Sequence, residues 1–236
     1  MKKMRMAHVA QIEDISPHMR RIVLKGDDLN DFPTGKEGAH FKAIFPQTGE
    51  AIPKLGTYPG FKKWMRSYTV RRFDDQSKAL TVDFAVNDHE GLATNWAKHA
   101  KKGDLLGVAG PGDTKYTDYH AAWHLLVADL TALPAAGAIM EKLPKTAVGT
   151  AFIQVPTEGD KQVIAAPEGI TINWVINRDL SQKALLQAVE NMQWLEGTPA
   201  IFIAAESSHM MAVRQYVKTK PGYSKEQTYA SGYWKI

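Results

Sequence analysis

Arg66-Ser67-Tyr68-Thr69-Val70-Arg71 alternates arginine, aromatic and hydroxyl side chains. On a strand this spacing puts Arg66 and Tyr68 on one face and Ser67 and Thr69 on the other. Arg66 is suited to hold a diphosphate by charge-assisted hydrogen bonds, Tyr68 to lie against a flat heteroaromatic ring, and Thr69 to reach a ring nitrogen through its hydroxyl or backbone. A second strip, Asp83-Phe84-Ala85-Val86-Asn87, is followed by His89-Glu90-Gly91-Leu92-Ala93-Thr94-Asn95-Trp96. Its turn feeds a helix from Thr94 to about His99, whose first N–H groups lack intrahelical partners and attract an anion. Gly91 lets the backbone come close to that anion. Taken singly, the segments read as a solvated sheet face and a loop entering a helix. In this order they are the parts of a flavin site, gripped at its ring and at its phosphates, with Arg71, Phe84, Val86 and Ala93 completing the candidate contacts.

The elements that must position these residues fall into two textures. Apolar/polar alternation over 4–15 and 18–25, broken by Ser16-Pro17, predicts two antiparallel strands joined by a turn. Residues 27–38 are rich in Asp, Gly and Pro and read as loop. Strands are expected at 39–46, 66–73, 79–87 and 104–110, with one short helix at 93–100. Six extended segments with few helices predict a small closed antiparallel barrel. After Gly110-Pro111-Gly112 strands alternate with longer helices: strand 124–128, helix 132–143, strands 147–155 and 171–176, helix 181–193, strand 200–204 and helix 208–219. That order predicts a parallel sheet covered on both faces. The border falls near 113–121, giving domains 1–116 and 117–236, and two domains of ~120 residues suit the length. In an open parallel sheet ligands collect at the carboxyl ends of the strands, here Asp129-Leu130-Thr131 and Ala204-Ala205-Glu206-Ser207.

Composition narrows the function classes. The chain has 236 residues, no cysteine and a net charge of +4. Without cysteine this chain holds no disulfide, thiolate metal site, cysteine nucleophile or iron–sulfur cluster, so redox work needs a bound organic cofactor. None of the eight histidines forms an H-x-x-x-H pair on one helix, and no metal site is expected. Basic residues are scattered rather than clustered with exposed aromatics, which argues against nucleic acid. No apolar run approaches the ~18 residues of a membrane span and no signal-like segment follows Met1, so a cytoplasmic location without membrane insertion is expected. There is no G-x-G-x-x-G with a following acid, so the usual dinucleotide fingerprint is missing.

The pieces RSYTVR (66–71), LTVDFAVNDHEGLATNWA (80–97), KGDLLGVAGP (102–111), VADLTALPAAGAIMEKLP (127–144), AAES (204–207) and SGYWK (231–235) together resemble the siderophore-interacting proteins, flavin-dependent ferric-siderophore reductases of the ferredoxin-reductase-like superfamily. The resemblance implies an N-terminal FAD-binding barrel, a C-terminal nucleotide-binding-like α/β domain, and reduction of chelated Fe(III) one electron at a time through FAD. It implies Asp129 near the cofactor edge and Thr131 as the cap of the following helix. Trp234 is read as covering a flavin or adenine face. Lys42, Lys115 and Lys235 are candidates for drawing in an anionic ferric siderophore, with Lys62 and Lys63 in reserve. NADH, NADPH or a ferredoxin is the implied electron donor. Leu130 stands where the family usually has an acid, Asn87 where it often has histidine, and Leu92 where proline is frequent. Two other readings stay open, an NAD(P)H:flavin reductase that releases its flavin and a carrier of flavin or siderophore that does not turn over.

Overall fold

Period-two patterning at the amino end produces β1 (Met4–Ser16) and β2 (Met19–Lys25), an antiparallel hairpin in register from His8↔Lys25 to Ser16↔Met19. Its buried positions, Ala7, Val9, Ile22 and Leu24, enter one apolar core. The computed structural model describes residues 3–56, 60–86, 91–116, 118–179 and 183–235. Two units are distinguished, Met1–Thr114 and Lys115–Ile236.

In the first unit follow β3 (His40–Ile44), β4 (Met65–Thr69), β5 (Arg72–Asp74), β6 (Ala79–Ala85), the helix α1 (Leu92–His99) and β7 (Leu105–Ala109). The seven-stranded antiparallel sheet runs β4-β3-β7-β1-β2-β6-β5. Its two edge strands, β4 and β5, are separated in the chain only by Val70 and Arg71. Val70 N–H donates to Ala39 O at 2.8 Å and Arg71 N–H to Thr81 O at 3.1 Å, so consecutive residues bond to opposite edges. Two residues span at most ~7 Å, and the sheet therefore curls into a barrel. The single strand expected over 66–73 is thus two strands meeting at a corner. Two interactions fix the bend: Val70 is fully buried, and Arg71 Nε reaches the Asp83 carboxylate at 3.7 Å.

The second unit holds β8 (Trp123–Asp129), α2 (Leu133–Met140), β9 (Gly149–Val155), β10 (Ile170–Ile176), α3 (Ala184–Glu190), β11 (Pro199–Glu206), α4 (Ser207–Val217) and β12 (Thr228–Trp234). All neighbours in the sheet β10-β9-β8-β11-β12 are parallel. The central strands β8 and β11 are buried at every position, as strands covered on both faces must be. Right-handed crossovers put α2 on one face and α3 and α4 on the other. Trp123, Leu125, Val127, Ile201 and Ile203 pack there with Leu185, Val189, Val213 and Val217. The terminal segment read as a covering tail is the fifth strand, pairing with β11 from Ile201↔Thr228 to Glu206↔Trp234. Gly232 allows this pairing, since a Cβ there would lie 2.4 Å from Ser207 Oγ. Among the described residues no helix is long and apolar enough to cross a membrane.

Candidate functional site

The barrel brings the aromatic and basic parts of the first strip to one mouth. Tyr68 is the register partner of the core residue Phe41, and Arg66 that of Ala43. Both therefore project from the inner face of the wall. The Tyr68 ring lies 4.3 Å from Phe84 and 6.5 Å from Phe45 between centroids, and Trp96 of α1 packs on the same two rings at 5.6 and 5.4 Å. One aromatic cluster thus seats both β4 and α1. Burial raises the Tyr68 phenol above its usual range, with the Arg66 charge opposing. The phenol stays protonated and can donate a hydrogen bond.

Arg66 is exposed, with Nη1 donating to Lys63 O at 2.9 Å and Met65 O at 2.8 Å. Residues 40–47 and 61–70 contain Lys42, Lys62, Lys63 and Arg66 and no acid. Among the described residues no carboxylate pairs with any of the four. Some cations elsewhere in this unit do pair with carboxylates, as in Lys3–Asp31, Lys36–Asp113, Lys54–Glu50 and Lys78–Asp75. The β3–β4 rim therefore carries a local excess of positive charge suited to an anion. Lys42 lies on the other face of the wall, donating to Ser67 Oγ at 2.6 Å, and Thr69 is buried.

Helix α1 opens at Gly91 with no side chain capping it. The Gly91 backbone is extended (φ −172°), a conformation any residue adopts, so glycine is not needed there for the turn. Among the described residues a Cβ at this position would meet nothing within 4 Å. The missing side chain leaves open space beside the uncapped N–H groups of Leu92, Ala93 and Thr94, a place for an anion at a helix start. Val86 precedes this turn and its N–H donates to His18 O at 2.9 Å. Asn87 lies outside the described residues.

Three candidates are committed elsewhere. Phe84 is fully buried in the core. Asp83, on the opposite face of β6, is buried and takes a bidentate pair from Arg21 at 2.7 and 2.8 Å, with Arg71 at 3.7 Å. This triad joins β2, β6 and the β4–β5 corner, and a buried pair of this kind costs ~3–5 kcal/mol to break from one side. Asp83 and Arg71 are thus wall-closing residues on the face away from Tyr68. Arg21 had no local sequence signal, because only the β2–β6 register puts it opposite Asp83.

In the second unit Asp129 ends β8 and is a buried hub. Its Oδ1 accepts from Thr131 N at 2.9 Å, Thr131 Oγ1 at 2.6 Å and Ala132 N at 3.3 Å. Its Oδ2 accepts from Glu206 N and from Trp234 Nε1, both at 2.8 Å. Burial raises the carboxyl, and the hydrogen bonds from Thr131, Trp234 and Glu206 offset this only in part. Thr131 therefore does not cap α2. The helix begins one residue later, after Ala132, and Thr131 is a donor to Asp129. Glu206 is the cap of α4, accepting from Ser208 N at 2.7 Å and His209 N at 3.2 Å. Its carboxyl is desolvated, but the hydrogen bonds from Ser208 and His209 outweigh this and lower it. Ser207 Oγ donates to Trp234 O at 2.7 Å. Leu130 is buried, and Lys115 and Lys235 are exposed. Beside Asp129 in the register is Gln154, buried, with an Oε1 that has no hydrogen-bond partner. Among the described residues no group of His, Asp and Glu could hold a metal ion.

Residues 8–115 match the family model described as the siderophore-interacting FAD-binding domain, and residues 121–236 match that of the siderophore-interacting protein. Ferric vibriobactin reductase ViuB of Vibrio cholerae is 33% identical over 231 residues, covering 94% of this chain and 85% of that protein. The NADPH-dependent ferric-chelate reductase of Escherichia coli K12 is 28% identical over 236 residues, covering 96% and 91%. The crystal structure of the siderophore-interacting protein SipS from Aeromonas hydrophila superposes with a TM-score of 0.89 at 32% identity, covering 99% of this chain and 92% of that one. The barrel's residues fit FAD on their own geometry: an arginine without a carboxylate partner among the described residues lies two positions from a half-buried tyrosine, whose aromatic cluster also seats the helix with the uncapped start.

Proposed function

This chain belongs to the siderophore-interacting protein family, and on that premise we propose that it is an FAD-dependent reductase of ferric siderophores that releases Fe(II) in the cytoplasm. The observation that carries this reading is the acid-free rim with Arg66 beside the Tyr68–Phe84–Trp96 cluster. Arg66 and the first N–H groups of α1 hold the diphosphate, by charge-assisted hydrogen bonds and by unpaired helix donors. Tyr68, fixed against Phe84, presents a protonated phenol to the ring end of the cofactor. FAD held there would supply a carrier that takes up an electron pair and passes electrons on one at a time, as Fe(III) requires. Iron once reduced is a softer ion, held less firmly by hard oxygen ligands, and leaves the chelate. Lys42, Lys115 and Lys235 are the cationic contacts for the anionic oxygens of the siderophore. The electron donor is a reduced nicotinamide nucleotide. The NADPH-dependent ferric-chelate reductase of Escherichia coli supports this choice of donor, and the carboxyl end of a parallel sheet is where nucleotides bind.

The test is a spectrum of the purified protein, followed by anaerobic photoreduction and addition of a panel of ferric chelates. Flavin bands that persist through dialysis and reoxidation by ferric siderophores are expected. Colourless folded protein that cannot be reconstituted with FAD would reject the reading. Reduced protein left unoxidised by every chelate would leave a carrier, and flavin lost on dialysis yet turned over with NAD(P)H would point to a flavin reductase. Addition of NADH, NADPH or reduced ferredoxin separates the donors.

A further inference from the structure

Helix α1 is short, and something must hold its direction. Eight residues make a helix of about 12 Å that is marginal on its own in water. Its buried contacts are Ala93 and Ala97, two small side chains, together with the Trp96 ring. Its carboxyl end passes into Ala100 with an extended ψ of 140°, so no left-handed glycine closes its last carbonyls.

Those carbonyls are taken by Arg20. Nη1 donates to Ala97 O at 2.9 Å and to Lys98 O at 2.8 Å. The rest of the guanidinium is clamped by Asp14, through Nε at 2.6 Å and Nη2 at 3.0 Å. Asp14 and Arg20 are register partners on β1 and β2, and Arg20 is in turn the partner of Phe84 on β6. Arg20 therefore springs from the core-facing side of the wall, next to the aromatic cluster under α1. The hydrogen bond from Arg20 lowers the Asp14 carboxyl below its usual range, so the clamp persists into mild acid. A cation at this end also favours the helix dipole.

From this geometry we infer that Arg20, braced by Asp14, is the positioning residue of the cofactor's diphosphate site and acts through α1. It ties the carboxyl end of the helix to β2 so that the amino end, at Gly91 to Thr94, stays aimed at the anion. The lever is sensitive, because a swivel of about 10° on a 12 Å helix moves its far end by about 2 Å. That is enough to take N–H···O contacts out of their usual range of about 2.7–3.2 Å. The inference rests on the FAD reading and adds a residue that touches neither ring nor phosphate.

The experiment compares the affinities of the apoprotein for FAD and for riboflavin, which share the ring but not the diphosphate, by quenching of flavin fluorescence. Arg20→Ala is expected to weaken FAD by about tenfold or more, equal to about 1.4 kcal/mol, while riboflavin changes by less than about twofold. Arg20→Lys, which keeps one donor for the carbonyls, is expected to recover part of the loss. If Arg20→Ala does not fold, Asp14→Asn keeps the guanidinium and removes the charge that braces it, and the same selective loss is expected at smaller size. Unchanged FAD affinity in the folded variants, or equal loss for both flavins, would overturn the positioning role. A wild-type apoprotein that binds neither flavin would instead overturn the FAD reading itself.

Discussion

The barrel rim and the Asp129 hub treat charge in opposite ways. On the rim, Lys42, Lys62, Lys63 and Arg66 stand without a carboxylate among the described residues. At the hub, one carboxylate is surrounded by donors from the turn between β8 and α2, from β11 and from β12. Spare donors at a surface are a capacity for ligand. A carboxylate whose acceptor sites are filled from its own chain has little left for a ligand, and its work is to tie strand ends together. The charged residues that the sequence offers as site candidates therefore meet different surroundings in the two units, a rim without carboxylates in one and a satisfied joint in the other.

The comparison breaks most readily at the hub. Asp129→Ala leaves Trp234 Nε1 and Glu206 N without an acceptor, and a loss of about 3 kcal/mol from the second unit is expected from unsatisfied buried donors. Urea unfolding followed by tryptophan fluorescence measures it, and a loss below about 1 kcal/mol would make the hub ornamental. The pH profile sharpens the point. A folded-state carboxyl raised above 3.8 stabilises most fully below that value, and its contribution is lost as pH rises through the folded pKa. The wild type should therefore show this downward step as pH rises above the ordinary carboxylate value, and Asp129→Asn should lack it.

On the rim the expected effects fall on ligand rather than fold. Arg66→Ala should weaken FAD by about 1.5–3 kcal/mol, the range for a hydrogen bond to a charged group, with little change in the melting temperature of the apoprotein. Equal flavin content in mutant and wild type would remove Arg66 from the site. Tyr68→Phe removes only the phenol hydroxyl and should shift the flavin absorption bands while FAD affinity falls by about 0.5–1.5 kcal/mol. An unchanged spectrum would place the ring end elsewhere. Smallest is the triple change of Lys42, Lys115 and Lys235 to Gln. It should raise KM for anionic ferric chelates by several-fold, more at low salt than at high, as screened surface charges do. Neutral chelates should be spared, and a uniform loss would argue against electrostatic capture.

Order and type of element were legible in the residues because their causes are local. Alternation marked β1 and β2, and the succession of strands with longer helices marked a parallel sheet covered on both faces. Arg66, Tyr68 and Gly91 stood out because a strand's period of two and a helix start are visible within a few residues. The corner at Val70-Arg71, the terminal strand and the Asp83 triad were not visible. Each depends on which strand lies alongside, and pairing partners are set by how the whole sheet closes.

The sequence alone thus determined a chain of two textures and the absence of any thiol chemistry, since patterning and composition act residue by residue. Tertiary structure decided which of two neighbouring arginines, Arg20 or Arg21, braces a helix and which closes the wall. It likewise decided that Asp129 is satisfied from within, while Arg66 meets backbone carbonyls and no carboxylate among the described residues. Adjacent residues on a strand point to opposite faces, and what each face meets is fixed only when distant segments are brought beside it.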